Sequence, residues 1–191
     1  MKAVILNGSR QGETTLENVH KIVLDELSNV GGEVQSFMLH DLDIGYCQGD
    51  FGCWIKTPGE CIQKGIARDI ARAFIQSDLV VYLTPITFGG YSSELKKAVD
   101  HLICLISPFF TKINGEVHHK PRYAHYPRVM AVGVLPQPDA EAEQIFRTLV
   151  SRNAINMHAP AHAAGVVVSS DGMEQARARI ASLFAAVEVK Q

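Results

Sequence analysis

The chain has no long apolar run. Its best one, residues 79–83, is strand-sized and far short of the roughly 20 residues a membrane-spanning helix needs. The opening MKAVILNGSR holds one Lys and an apolar stretch too short for a secretory leader, so a cytoplasmic chain with no membrane partner is expected. A block of one charge is missing as well. Eighteen basic residues face 20 acidic ones for a net charge of -2, which gives no stripe to track a phosphate backbone, and nucleic acid is set aside as a partner. There is no internal repeat, low-complexity tract or linker. A G-x-S-x-G elbow is also lacking, which removes the common hydrolase reading. With only four cysteines in a reducing compartment, Cys47, Cys53, Cys61 and Cys104 are expected as thiols, metal ligands or redox groups rather than a disulfide framework.

What is present is ample material for one core: 191 residues, 47% of them apolar, read as a single domain over 1–191. Short apolar runs at 2–6, 33–39, 78–83, 128–135 and 165–168 predict strands, several of them without alternation, as strands buried on both faces require. Helical spacing of three or four links Leu16, Val19, Val23, Leu27 and Val30. It also links Ile66, Ile70, Ala73 and Phe74, then Leu95, Val99, Leu102 and Ile106. Two more helices follow around Ile145 to Val150 and Ala176 to Val187. Strand then helix, five times over, calls for a parallel sheet with right-handed crossovers and helices on both faces. Ligands of such sheets bind beyond the carboxyl ends of the strands. The loops after Leu6, Leu83 and Leu135 are therefore the ones to inspect, and 41–65 and 107–127 are read as long functional loops.

The first loop, Asn7-Gly8-Ser9-Arg10-Gln11-Gly12-Glu13-Thr14-Thr15, runs straight into a helix. Glycines allow close backbone approach, hydroxyls donate hydrogen bonds, and a helix start offers free amides and a positive dipole end. A phosphate and a plain helix cap both account for it. No Lys follows Gly12, so it is not a Walker loop, and the spacing of Gly8 and Gly12 misses G-x-G-x-x-G. The loop after Leu83 reads Thr84-Pro85-Ile86-Thr87-Phe88-Gly89-Gly90-Tyr91 before Ser92 and Ser93 open a helix. It can present amides and a flat apolar surface to an aromatic ring.

Together LNGSRQGETT and TPITFGGYSSELKKAVDHL resemble the flavodoxin-like NAD(P)H-dependent FMN reductases, and the likeness extends more loosely over the whole chain. The resemblance implies a three-layer α/β/α domain with five parallel strands in the order 2-1-3-4-5. It implies FMN held without a covalent bond and NAD(P)H as co-substrate. Ser9, Arg10, Gln11, Gly12, Thr14 and Thr15 would hold the FMN phosphate, and Pro85, Ile86, Thr87, Phe88 and Gly89 would line the ring. Trp54, Tyr91, His118 and His119 would shape the open face of the substrate pocket. No side chain is given a catalytic role, because hydride passes ring to ring and the protein supplies position and electrostatics. The acceptor would be a small quinone or flavin, and the assembly a homodimer or homotetramer with 107–127 at the subunit interface. Arg10, Lys56, Lys120 and Arg122 are the cations available for a 2'-phosphate.

The family usually carries Asn where Glu13 stands. A carboxylate about 6 Å from a phosphate charge costs about 2 to 3 kcal/mol per charge pair at an effective dielectric of about 20. Glu13 is therefore expected to turn away, capping the first helix or pairing with Arg10. The segment Cys47-QGDFG-Cys53-WIKTPGE-Cys61 resembles the cysteine loop of iron-sulfur flavoproteins. Their cluster needs four thiolates, and Asp50 stands where a further Cys would lie, open to service only as a harder fourth ligand. Gaps of five and seven residues do not match zinc knuckles either, so no metal is assigned. An alternative function on the same fold is a flavodoxin-type electron carrier without its own NAD(P)H oxidation. Such carriers are strongly acidic, and -2 gives little steering. A phosphoacceptor domain would need carboxylates after the first strand, where Asn7-Gly8-Ser9 offers none.

Overall fold

The computed structural model describes residues 1–113 and 115–188. In chain order the elements are β1 (Lys2–Asn7), α1 (Thr14–Asn29), β2 (Glu33–Met38), α2 (Gly52–Ile55), α3 (Ile66–Ile75), β3 (Leu79–Pro85) and α4 (Ser93–His101). Then come β4 (Ile106–Ile113), β5 (Glu116–Pro121), β6 (Arg128–Leu135), α5 (Ala140–Asn156), β7 (His162–Val168) and α6 (Met173–Glu188). Five strands form one parallel sheet in the order β2-β1-β3-β6-β7, the arrangement of flavodoxin-like folds.

The alternation of side chains along the central strands divides the core in two. Val4 and Leu6 of β1 and Val80 and Tyr82 of β3 pack beneath α3, α4 and α5. Ala3 and Ile5, with Leu79, Val81 and Leu83, pack beneath α1 and α6. Both faces of β3 are covered, which explains its unbroken apolar run. Phe74 and Phe146 are the large side chains that seal the first layer, and Leu16, Ile22 and Leu27 seal the second. Each such side chain stabilises the fold by about 1.5 to 3 kcal/mol through burial alone.

Three expectations change. The expected strand numbering 2-1-3-4-5 does not hold in chain order, because residues 107–127 are not a loop throughout: β4 and β5 form a separate antiparallel hairpin between β3 and β6. The predicted helix through Ile106 stops at His101, tightens into a 3-10 turn over Leu102–Leu105, and gives way to β4. β7 also begins at His162 rather than Gly165.

Candidate functional site

The loop leaving β1 is fixed to the loop leaving β3 by main-chain atoms and buried hydroxyls. The Gly8 amide donates to the Leu83 carbonyl at 2.7 Å. Ser92 Oγ donates to the Gly8 carbonyl at 2.6 Å and accepts from the Leu95 amide at 3.2 Å, so one side chain caps α4 and holds the first loop. The Ser92 amide in turn donates to Thr84 Oγ1 at 2.9 Å. A Cβ on Gly8 would stand 2.6 Å from both Leu95 Cβ and Ser92 Oγ, which is why only glycine fits there. Asn7, Thr84 and Ser92 are fully buried, and Asn7 Oδ1 accepts from the Ser9 amide at 2.9 Å.

Beyond Thr84 the chain makes a tight turn. Thr87 and Gly90 exchange two main-chain hydrogen bonds at 3.0 and 2.9 Å, with Phe88 at φ 50° and Gly89 at φ 73°. Positive φ at both central positions is the turn that twists with flanking extended chain, and it suits Gly89. For Phe88 it costs roughly 1 to 2 kcal/mol. Its ring is fully exposed, so no packing explains its place. Strain of this kind concentrates where ligands bind.

A cavity of about 480 Å³ opens where these loops meet the ends of β6 and β7, a volume in the range of small-ligand sites. Thr14 and Thr15 line one side, with Glu13 and Leu16, and Pro85, Ile86, Val134 and Pro136 supply an apolar wall. Of the predicted cofactor residues, Thr14, Thr15, Pro85 and Ile86 come together here. Arg10, Gln11 and Gly12 form the exposed rim of the first loop, Ser9 is buried behind it, and Thr87, Phe88 and Gly89 form the turn beside it. Sequence reasoning flagged the loop after Leu135 without naming residues, and missed Ser169, whose Oγ receives a 3.5 Å hydrogen bond from Thr15. The donor set fits FMN: hydroxyls and a helix start for the phosphate, an apolar wall for the ring.

Glu13 departs from that fit. It stands at the N-cap of α1 without capping it through its side chain. Its Oε2 instead accepts from the Arg10 amide at 2.9 Å, so the expected pairing with Arg10 is to the main chain.

Gly89 is also confined by α5. A Cβ there would lie 2.6 Å from Ile145 Cγ2 of that helix, so a valine would press on the helix as well as on any flavin.

The four residues expected to line the open face do not gather at this cavity. Tyr91 is buried, its ring edge-on to Tyr82 and Phe146 at 5.8 and 6.1 Å, and its hydroxyl accepts from Asn153 at 3.1 Å. Burial pushes its phenol up to about 12, against the opposing pull of Asn153. His118 is buried between Asn156 Oδ1, at 2.7 Å, and Glu116 Oε2, at 3.0 Å. Arg152 grips the same carboxylate, and Arg152 first, then His118, holds the Glu116 carboxyl down to about 2. Trp54 and His119 do meet, at 5.0 Å, inside a ladder of rings that runs Phe51, Trp54, His119, Phe110. Trp54 Nε1 donates to the carbonyls of Ile103 and Ile106 at 3.0 Å each, anchoring the cysteine segment to the base of the hairpin.

A second cavity, of about 270 Å³, holds Cys47, Cys53, Cys61, Asp50 and His101 among its lining residues. Cys61 Sγ lies 3.2 Å from His101 Nδ1, while His101 Nε2 lies 2.8 Å from the Gly45 carbonyl. Nε2 therefore carries the donated proton and Nδ1 accepts from the thiol. Burial, with the neighbouring thiols and Asp50, raises Cys53, and burial raises Cys61. Asp50 Oδ1 is occupied by the Gly52 amide at 3.0 Å. Among the described residues no three His, Cys, Asp or Glu side chains are grouped to hold a metal ion. With one thiol turned to His101 and the carboxylate turned to its own backbone, the segment as arranged does not fit a four-ligand cluster. Cys104 is buried in the core, within the 3-10 turn over Leu102–Leu105.

Fold and loops together define a flavodoxin-like α/β protein whose site opens at the carboxyl ends of β1, β3, β6 and β7. The sequence matches the NADPH-dependent FMN reductase family over residues 1–169, and the chain belongs to that family. FMN is the cofactor that membership in this family implies. It is 29% identical over 103 residues to an iron-sulfur flavoprotein of Archaeoglobus fulgidus, a match covering 54% of this chain and 46% of that protein. The chain spans about half the length of the curated relatives it matches. In fold it is similar to an NAD(P)H:quinone oxidoreductase from Methanothermobacter marburgensis, with a TM-score of 0.66, 13% identity, and coverage of 100% of this chain and 95% of that one. An FMN-dependent NADH-azoreductase from Bacillus anthracis, solved in complex with FMN, superposes with a TM-score of 0.61 at 13% identity, covering 100% of this chain and 99% of that one.

Proposed function

We propose that this chain oxidises NAD(P)H through FMN and reduces a small acceptor of the quinone or flavin kind. The observation that carries this reading is the cavity of about 480 Å³ with hydroxyls on one wall and Pro85, Ile86, Val134 and Pro136 on another. Bound FMN supplies the ring that accepts and releases the hydride. The chain supplies placement. Ser9, Arg10, Gln11, Gly12, Thr14 and Thr15 are read as the phosphate cradle, and Pro85 to Gly89 as the support of the ring. The clasp between Gly8 and Ser92 sets the distance between those two halves. Phe88, exposed in the turn beside the cavity, is read as flanking its open side.

The assembly is read as a homodimer or homotetramer. Support comes from the hairpin, where Phe109, Phe110 and Val117 are each exposed. Four free cysteines suit a reducing, cytoplasmic setting.

The test is NADPH and NADH oxidation by the purified chain loaded with FMN, with a simple quinone and no second protein. Steady consumption of either nicotinamide is expected. Consumption only after a separate reductase is added would instead assign a flavodoxin-type carrier.

A further inference from the structure

The amides at the start of α1 are the natural seat of the flavin phosphate, and one amide on the way to that helix is already taken by an anion of the chain itself. Glu13 Oε2 accepts from the Arg10 amide at 2.9 Å. The carboxylate belongs to the residue that opens α1, and Glu13 lines the cavity together with Thr14 and Thr15. Gly12, at φ 81°, turns the chain so that the Glu13 side chain can fold back over the loop, and the main chain closes the same turn through Thr14 N to Gly12 O at 3.1 Å. A phosphate entering this loop meets both a donor already in use and a like charge.

We infer that Glu13 is a built-in competitor for the flavin phosphate, so that this chain discriminates only weakly between FMN and the unphosphorylated flavin. The inference rests on the FMN reading of the site. Displacement of the carboxylate costs one charge-assisted hydrogen bond, and the displaced charge still belongs to the residue that opens the helix whose amides the phosphate would use. Glu17 in the first turn of α1 adds a further acidic side chain to that end of the helix.

The experiment compares dissociation constants for FMN and riboflavin, read from quenching of flavin fluorescence, in the wild type and in Glu13→Gln. Gln keeps an oxygen for the Arg10 amide and removes the charge. Even with water-like screening, a dianionic phosphate should bind about tenfold tighter to the variant, while riboflavin, with no phosphate, should change less than about twofold. Glu13→Ala, which removes the acceptor as well, should tighten FMN at least as much, and its circular dichroism checks that the loop change leaves the fold intact. FMN and riboflavin shifting together, or FMN affinity unchanged in both variants, overturns the inference while leaving the flavin site standing. Uptake of neither flavin by any of the three proteins overturns the site reading and the inference with it.

Discussion

Two regions of this protein join segments far apart in sequence, and they do so by different means. At the carboxyl ends of β1 and β3 the contacts are main-chain amides, carbonyls and fully buried hydroxyls, as in Ser92 to Gly8 at 2.6 Å and Gly8 to Leu83 at 2.7 Å. Across the cysteine segment and the β4–β5 hairpin they are side-chain rings in contact, with centroids 4.6 to 5.0 Å apart and Phe110 and Phe51 exposed at the ends. Buried hydrogen bonds have narrow geometry and a high cost when one partner is lost. Ring contacts at a half-exposed surface accommodate change. The first region fixes two loops in register, and the second ties a surface element down.

Ser92→Ala should produce the largest effect. It removes the cap of α4 and leaves the buried Gly8 carbonyl without its donor, so unfolding free energy should fall by about 2 to 3 kcal/mol and FMN affinity should fall with it. Urea denaturation and flavin titration of the same variant measure both. A loss of stability with unchanged affinity would break the claimed link between clasp and site.

The second region should behave otherwise. Glu116 anchors the hairpin to α5 through Arg152 Nη1 at 3.0 Å and touches His118. Its carboxyl is depressed from 4.5 to about 2, so its contribution is present above the unfolded value and disappears as pH falls from about 4.5 toward 2. Glu116→Gln should therefore be less stable than the wild type at neutral pH, with the gap closing as pH drops through that window and FMN affinity unaltered at neutral pH. Thermal melts of both proteins from neutral pH downward read this. A gap that persists unchanged at acid pH would mean that the charge of Glu116 is not what fastens the hairpin.

The same contrast explains what could be read from the sequence. β1, β3 and β6 are buried on both faces and announce themselves as apolar runs, and the loop after each lies where a parallel sheet puts its ligands. β7 opens with His162-Ala163-Ala164-Gly165, residues of low strand propensity held by pairing with β6, so its start was hidden. The hairpin was hidden by Pro108 and by the polar pair His118 and His119, although the Asn-Gly dipeptide at 114 and 115 is a hairpin signal. Tyr91 follows two glycines and looks like a loop ligand, yet the turn closed by Thr87 and Gly90 swings its ring inward onto Tyr82. The double role of Ser92 depends on Gly8, 84 residues away, and local pattern cannot show it.

The central claim is that the turns leaving β1 and β3 jointly seat one FMN. The most direct measurement is ultrafiltration of the protein after incubation with excess FMN, followed by the absorbance of the retained fraction. Retention of one flavin per chain, lost in Ser92→Ala, is the predicted result. Flavin passing wholly into the filtrate, or retained equally by both proteins, would contradict it.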